Sequence, residues 1–255
     1  NSTLNIRNGG LFNLQIDRSL EFDANAVAAT APHLSIQTGG EFRKSGTGPG
    51  GITQSDINWR MTNAGLVAVT AGTLRIDPLA GVTSVSTGTL RVSDGTTLNL
   101  NHTTGGIHRL GDGAMLSRAP ASSTGVFAYT GTNLQATGSG TGATLANGAE
   151  LDLTGKTLGG TGKFTNLGTL TFNDTGVMGS LTNGATGVLD ISGAPTASQV
   201  DLGLTLVAGS MTRFEDGTQL NLGGTNPLTW QGGDIVDLGG GGVLSLTTNG
   251  GTFTV

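Results

Sequence analysis

The chain has 255 residues, enough for one large all-β domain or two ordinary ones, with 46 glycines, 35% apolar and 11% charged residues and a net charge of −5. Its 12 scattered Lys and Arg form no basic stripe that could displace counterions, so nucleic acid and anionic membrane are poor partners and no nucleic-acid binding is expected. No apolar run approaches the roughly 20 residues of a membrane helix, so no membrane insertion is expected, and the absence of cysteine excludes disulfides, thiolate metal sites and a Cys nucleophile.

Along the chain, apolar-x-apolar pairs recur: Leu4/Ile6, Leu14/Ile16, Leu34/Ile36, Leu74/Ile76, Leu90/Val92, Leu98/Leu100, Leu151/Leu153, Leu170/Phe172, Leu189/Ile191, Leu204/Leu206, Leu220/Leu222 and Leu244/Leu246. Each is a short period-2 run bounded by Gly, Asn, Asp or Thr, and each predicts a short β-strand. The one helix-like stretch, residues 24–31, is short and stopped by Pro32, so essentially no α-helix is expected. Alternation breaks near residues 46–51, 102–120 and 193–199, which read as irregular loops. No composition shift divides residues 1–255, which read as one domain. Neither end reads as capped and no signal peptide opens the chain, so it reads as a segment of a longer exported chain or as a unit whose ends stack head to tail.

Internal repeats decide the fold class. "FTNLGTLTF" (164–172) aligns with "MTNAGLVAV" (61–69), and "LNIRNGGLF" (4–12) aligns with "LSIQTGGEF" (34–42) and, with one residue added, "LSLTTNGGTF" (244–253). Leu151, Leu170 and Leu189 each open a Leu-x-apolar pair, and the two steps between them are equal. The positions of Phe164 and Leu181 within those steps differ while the step itself does not change, as in a coil that shifts length between its sides. The expectation is a single-stranded parallel β-helix, a β-solenoid, of about 19 residues per coil. Its core column includes Leu151, Phe164, Leu170, Phe172, Leu189 and Ile191, stacked about 4.8 Å apart. Asn63 and Gly65, and Asn166 and Gly168, read as corners that use the left-handed backbone, with corner Asn side chains bonding along the stack. At this coil length the rod would be on the order of 60 Å long.

The stretches 39–77 ("GGEFRKSGTGPGGI" running on to "INWRMTNAGLVAVTAGTLRID") and 228–251 ("LTWQGGDIVDLGGGGVLSLTTNGG") resemble repeat modules of filamentous-haemagglutinin-type adhesins and autotransporter passengers. The resemblance implies a right-handed parallel β-helix, a bacterial cell-surface or extracellular location, and a role in adhesion, matrix or filament building. It carries over no binding residue and no cofactor. Low surface charge, many Thr and uncapped ends suit self-association, head to tail or lateral, and the adhesive role that the resemblance implies adds a host-surface or polysaccharide ligand.

Candidate chemistry is sparse. Because parallel β-helices also carry polysaccharide-cleaving sites, Asp152 and Asp190 are weighed first: they are equivalent positions two coils apart with Thr171 between, a spacing of about 9–10 Å that fits an inverting glycosidase. No basic partner is evident in register, and a solvated face is the simpler reading. "GDGAML" (111–116) and "GGDIVDLGGGG" (232–242) echo a calcium-binding nonapeptide without completing it, and read as Gly-rich corners. His33, His102 and His108 read as surface-loop histidines. A Ser117–His108–Asp112 triad lacks a nucleophile elbow. Trp59, Trp230 and Tyr129 are the aromatic candidates for stacking on sugar; the shared setting of Trp59 and Trp230 also suits a repeated structural position. Of Lys44, Lys156 and Lys163, none reads as buried beside a carboxylate, and Arg43-Lys44 is too small for a polyanion site. The sequence reading is therefore non-enzymatic: no catalytic residue, no metal and no cofactor.

Overall fold

The computed structural model describes residues 2–21, 30–46, 54–100, 105–121, 124–130, 134–173, 176–192, 197–215, 217–225, 228–239, 243–245 and 253–254. The chain divides into two compact units, Asn1–Leu134 and Gln135–Val255. Each is a parallel β-solenoid, with no α-helix among the described residues.

In unit 1 the coils lay short strands on three faces, one to a face in every coil but the first, whose described residues carry no strand on the third. The first face stacks Thr3–Ile6, His33–Ile36, Arg60–Asn63, Thr83–Ser86 and Ile107–Leu110. The second stacks Leu11–Leu14, Glu41–Lys44, Leu66–Val69, Thr89–Val92 and Met115–Arg118; the third stacks Gln54–Ile57, Thr73–Ile76, Thr97–Leu100 and Val126–Tyr129. Unit 2 repeats the plan. Its first face carries Ala143–Leu145, Lys163–Asn166, Ser180–Asn183, Leu204–Leu206, Leu228–Trp230 and Phe253–Thr254. Its second carries Glu150–Asp152, Thr169–Phe172, Val188–Ile191, Met211–Phe214 and Asp234–Asp237, and its third Thr157–Leu158, Gly176–Val177, Ala197–Val200, Gln219–Leu222 and Val243–Ser245.

Strict alternation makes the core. In strands such as Thr73–Ile76 and Thr169–Phe172 every second side chain is buried, and the parallel register sets like on like. Leu151 pairs with Leu170 and Leu170 with Leu189, as their even spacing requires. Phe164 stacks on Leu181, and Phe172 on Ile191 and then Phe214. All six expected core residues are at most 1% exposed. In unit 1, Phe12 and Phe42 are in register with ring centroids 5.5 Å apart.

The coil is more variable, and often longer, than that one column suggests. The step between registered partners is 19 residues from Asp56 to Arg75, 23 from Asp190 to Arg213 and 17 from Asn166 to Asn183. The step from Phe12 to Phe42 is longer still. Only a few side chains per face must stay in register, so loops between faces absorb the difference. Two of the expected irregular segments are partly regular: strands Ile107–Leu110 and Met115–Arg118 lie within 102–120, and Ala197–Val200 begins within 193–199. Residues 47–51, like 246–252 of the third repeat copy, lie outside the described residues.

The corner between first and second faces explains the repeated Thr-Asn-x-Gly. After Ile6 and Ile36 the chain needs a four-residue turn closed by backbone bonds, Gly10 N–H to Arg7 O and Gly40 N–H to Gln37 O, each 2.8 Å. After Asn63 and Asn166 two residues suffice, because the Asn Oδ1 accepts the N–H of Gly65 or Gly168 at 3.1 Å in place of a turn carbonyl. The asparagines are therefore inward-facing, fully buried strand residues, not left-handed corner residues. Gly65 and Gly168 do not sit at positive φ either; a Cβ there would overlap the carbonyl oxygen of Gly40 or Ala149 in the coil below. The expected bonding between stacked asparagines is present: Asn166 Nδ2 donates to Asn183 Oδ1 and to Val188 O, both 2.9 Å, and Asn183 Nδ2 donates to Met211 O at 2.8 Å.

Candidate functional site

The carboxylate pair lies where the register placed it. On the second face of unit 2, Asp152 pairs with Thr171 and Thr171 with Asp190, all pointing outward. A basic partner does stand in register, one coil further on: Arg213 pairs with Asp190, its guanidinium donating to Asp190 Oδ2 at 2.9 Å. Asp152 instead accepts from the backbone N–H and the hydroxyl of Thr154 at 2.8 and 2.5 Å. The two carboxylates are thus held by separate partners. The third face of unit 1 shows the same cross-coil pairing, with Arg75 bidentate on Asp56 at 2.7 and 3.0 Å. Such half-exposed pairs contribute about 0–1 kcal/mol each, so they arrange the surface more than they stabilise it.

Two residues expected at the surface are inside. Lys44 alternates with Phe42 and points inward, between Leu14 below and Val69 above. Its ammonium lies 2.8 Å from the Asp17 carboxylate, with side chains 0% and 2% exposed, and it also donates to Gly46 O. The stretch around Asp17 is irregular and joins the third face at a single bridge between Leu20 and Ile57, through Leu20 N–H to Asp56 O at 2.8 Å and Asn58 N–H to Leu20 O at 3.2 Å. Lys44 is thus a buried lysine beside a carboxylate. His108 lies on the strand Ile107–Leu110, fully buried, with Nε2 3.3 Å from Ser86 Oγ and in register with Ser84. Ser117 stands in the outward row of the second face, in register with Arg91, so it does not meet His108 in a triad. Strand parity carried both signals: Phe42 and Leu110 are core residues, and the residue two away shares their side.

His33 is half-buried, with Nε2 2.9 Å from Thr62 Oγ1. Burial, and then the nearby Arg60 charge, hold its pKa below the ordinary histidine value. His102 lies outside the described residues. Tyr129 points inward and its hydroxyl accepts the Leu134 N–H at 2.8 Å; burial raises its pKa and that bond partly offsets the rise. Trp59 and Trp230 do not occupy equivalent positions. Trp59 sits in the turn before Arg60–Asn63 and its indole donates to Glu21 O at 3.1 Å. Trp230 ends a first-face strand in the inward register above Leu206, donates to Gly233 O at 3.3 Å, and borders a hollow of about 310 Å³ with Gln231, Gly232 and Gly233. Lys156 is half-exposed, and exposed Lys163 donates to Gly140 O at 3.2 Å. Arg43 is neutralised by Glu41 at 2.7 Å.

The Gly-Asp-Gly of 111–113 forms a first-to-second-face turn with Gly113 at φ 82°. Of 232–242, residues 234–237 are a strand and 240–242 lie outside the described residues. Among the described residues no three His, Asp or Glu side chains converge on a common point, and no helix is long and apolar enough to cross a membrane. A concavity of about 470 Å³ runs along the Gly40–Gly65–Gly88 corner of unit 1, with Glu41 the one charged residue among its described lining. No protein-family model matches the chain, and no curated protein or solved structure matches it. The fold itself, a parallel β-solenoid, is the class of protein the structure defines.

Proposed function

We propose that the chain is a non-enzymatic structural or adhesive segment of an extracellular or bacterial cell-surface protein, of the filamentous-haemagglutinin or autotransporter-passenger kind. The observation that carries this reading is where the polar chemistry goes. Inside, it closes corners and neutralises one lysine; outside, Asp56, Asp152 and Asp190 are each occupied by a neighbouring side chain. Stacked backbone hydrogen bonds and continuous apolar columns make a stiff spacer, and its low charge suits contact with other surfaces. A polysaccharide-cleaving or carbohydrate-binding β-helix is the second reading, favoured by the two-coil spacing of Asp152 and Asp190. The test pairs two assays on the full chain. Incubation with a panel of polysaccharides should release no reducing ends, and display on a non-adherent bacterium should make cells clump or attach. Release of reducing ends that disappears in Asp190→Asn would replace the structural reading with the enzymatic one.

A further inference from the structure

We propose that the first face of unit 2 is a homotypic interface, which packs through its central threonine column against the same face of a second copy of this chain. The proposal deepens the self-association reading by assigning it a surface. In register on that face, Thr144 pairs with Thr165, Thr165 with Thr182, Thr182 with Thr205, and Thr205 with Thr229. All five point outward and are half-exposed. None of their hydroxyls forms a side-chain hydrogen bond within the described residues. The equivalent row of the second face is broken by charge, running Asp152, Thr171, Asp190 and Arg213, whereas the first-face row is threonine throughout the five registered strands.

Three features select a second copy as the occupant. Identical side chains repeated in register about every 4.8 Å are the geometry by which paired sheets interdigitate across a dry interface. The rows flanking the column carry one charge, Lys163, among the described residues, so two copies of a chain with net charge −5 meet there without the repulsion the acidic second face would bring. Beside the column, on successive turns from the third face into the first, Met178 and Leu202 are 48% and 49% exposed, apolar surface that a partner would cover. The strip is short. Five coils span about 19 Å, and four residues of strand about 13 Å, on the order of 300 Å² with its edges, well under the roughly 800 Å² per partner of a stable complex. A single pair of faces therefore binds weakly and reversibly, and many copies held side by side associate by multivalency.

Sedimentation velocity of the full chain, from micromolar to millimolar concentration, should show a coefficient that rises with concentration. The pair Thr182→Arg and Thr205→Arg should abolish the rise while strand circular dichroism persists; Thr171→Arg, on the second face, should leave it intact. Because the chain has no cysteine, Thr182→Cys should cross-link to a dimer with a short bis-maleimide and Thr171→Cys should not, a readout that holds even if the charged pair folds poorly. Association that survives the charged pair, with no Thr182→Cys dimer, overturns this face while self-association stands. A wild-type chain that stays monomeric throughout overturns both. Retention of a neutral polysaccharide that the charged pair loses, without dimerisation, makes the face a glycan site instead.

Discussion

Removing the Asp17 carboxylate tests the interior most sharply. Asp17→Ala leaves the Lys44 ammonium enclosed between Leu14 and Val69, with Gly46 O as its remaining described partner. Breaking one side of a buried ion pair costs about 3–5 kcal/mol, whereas replacing both sides with apolar groups is neutral or stabilising by about 1–4 kcal/mol. Asp17→Ala with Lys44→Met, a side chain of nearly the same length, should therefore recover what the single change loses. The unit can be read by itself: Trp59 is the one tryptophan of unit 1, so Trp230→Phe leaves a fluorophore that reports that unit alone. At a urea slope of about 2 kcal/mol/M, the single variant's midpoint should fall by about 2 M, and the double variant's should return to the parent value or above. A single variant that loses less than about 1 kcal/mol, or a double variant as weak as the single, would refute the buried pairing.

The asparagine corner makes a second prediction. Asn166→Ala leaves the Gly168 N–H, Asn183 Oδ1 and Val188 O without that partner, and should cost unit 2 about 1–3 kcal/mol, read from Trp230 fluorescence in a Trp59→Phe background. Gly168→Ala should cost a comparable amount, about 1–3 kcal/mol, through overlap with the Ala149 carbonyl, although it adds one methyl group. Leu170→Ala, in the centre of its column and fully buried, should cost about 2–5 kcal/mol; an unchanged midpoint would place it at the surface. Two titrations follow from burial. His33 should titrate by NMR below about 6.5; because its folded-state pKa is depressed, the unfolded chain takes up its proton first and stability falls as pH drops below that value. Tyr129, the single tyrosine, should ionise above about 10 by tyrosinate absorbance; the unfolded chain loses that proton first, so stability falls as pH rises past it. Values at or beyond the ordinary ones in the opposite direction would contradict the burial of these groups.

The parallel stack was legible because the period-2 pairs and their even recurrence at Leu151, Leu170 and Leu189 report a single inward column. The bonding of Asn166 to Asn183 was legible for the same reason, since identical residues in register sit within reach of each other. Coil length was not. It is the sum of three independent corners, and the 17 residues from Asn166 to Asn183 beside the 23 from Asp190 to Arg213 leave no single period to find. The inward positions of Lys44 and His108 follow strand parity, which residue type alone contradicts. The partner that makes a buried lysine tolerable, Asp17, lies far earlier in the chain, just past the Leu14/Ile16 pair, where the strand ends at Leu14, Ile16 turns out to solvent and Asp17 turns in, against the expected alternation. The cross-coil pairing of Asp190 with Arg213 is not legible in the sequence because the step between those coils is longer than the one the three leucines set. The threonine column is not legible in the sequence because its steps are uneven, and only the register lines it up.

Vertical stacking of equivalent side chains is what every role above depends on. The most direct test is a methyl NOE spectrum of leucine-labelled chain, with single substitutions for assignment. The account requires Leu170 to contact both Leu151 and Leu189 while those two remain out of reach of each other. A Leu151–Leu189 contact, or backbone NOEs marking these strands as antiparallel neighbours, would contradict it.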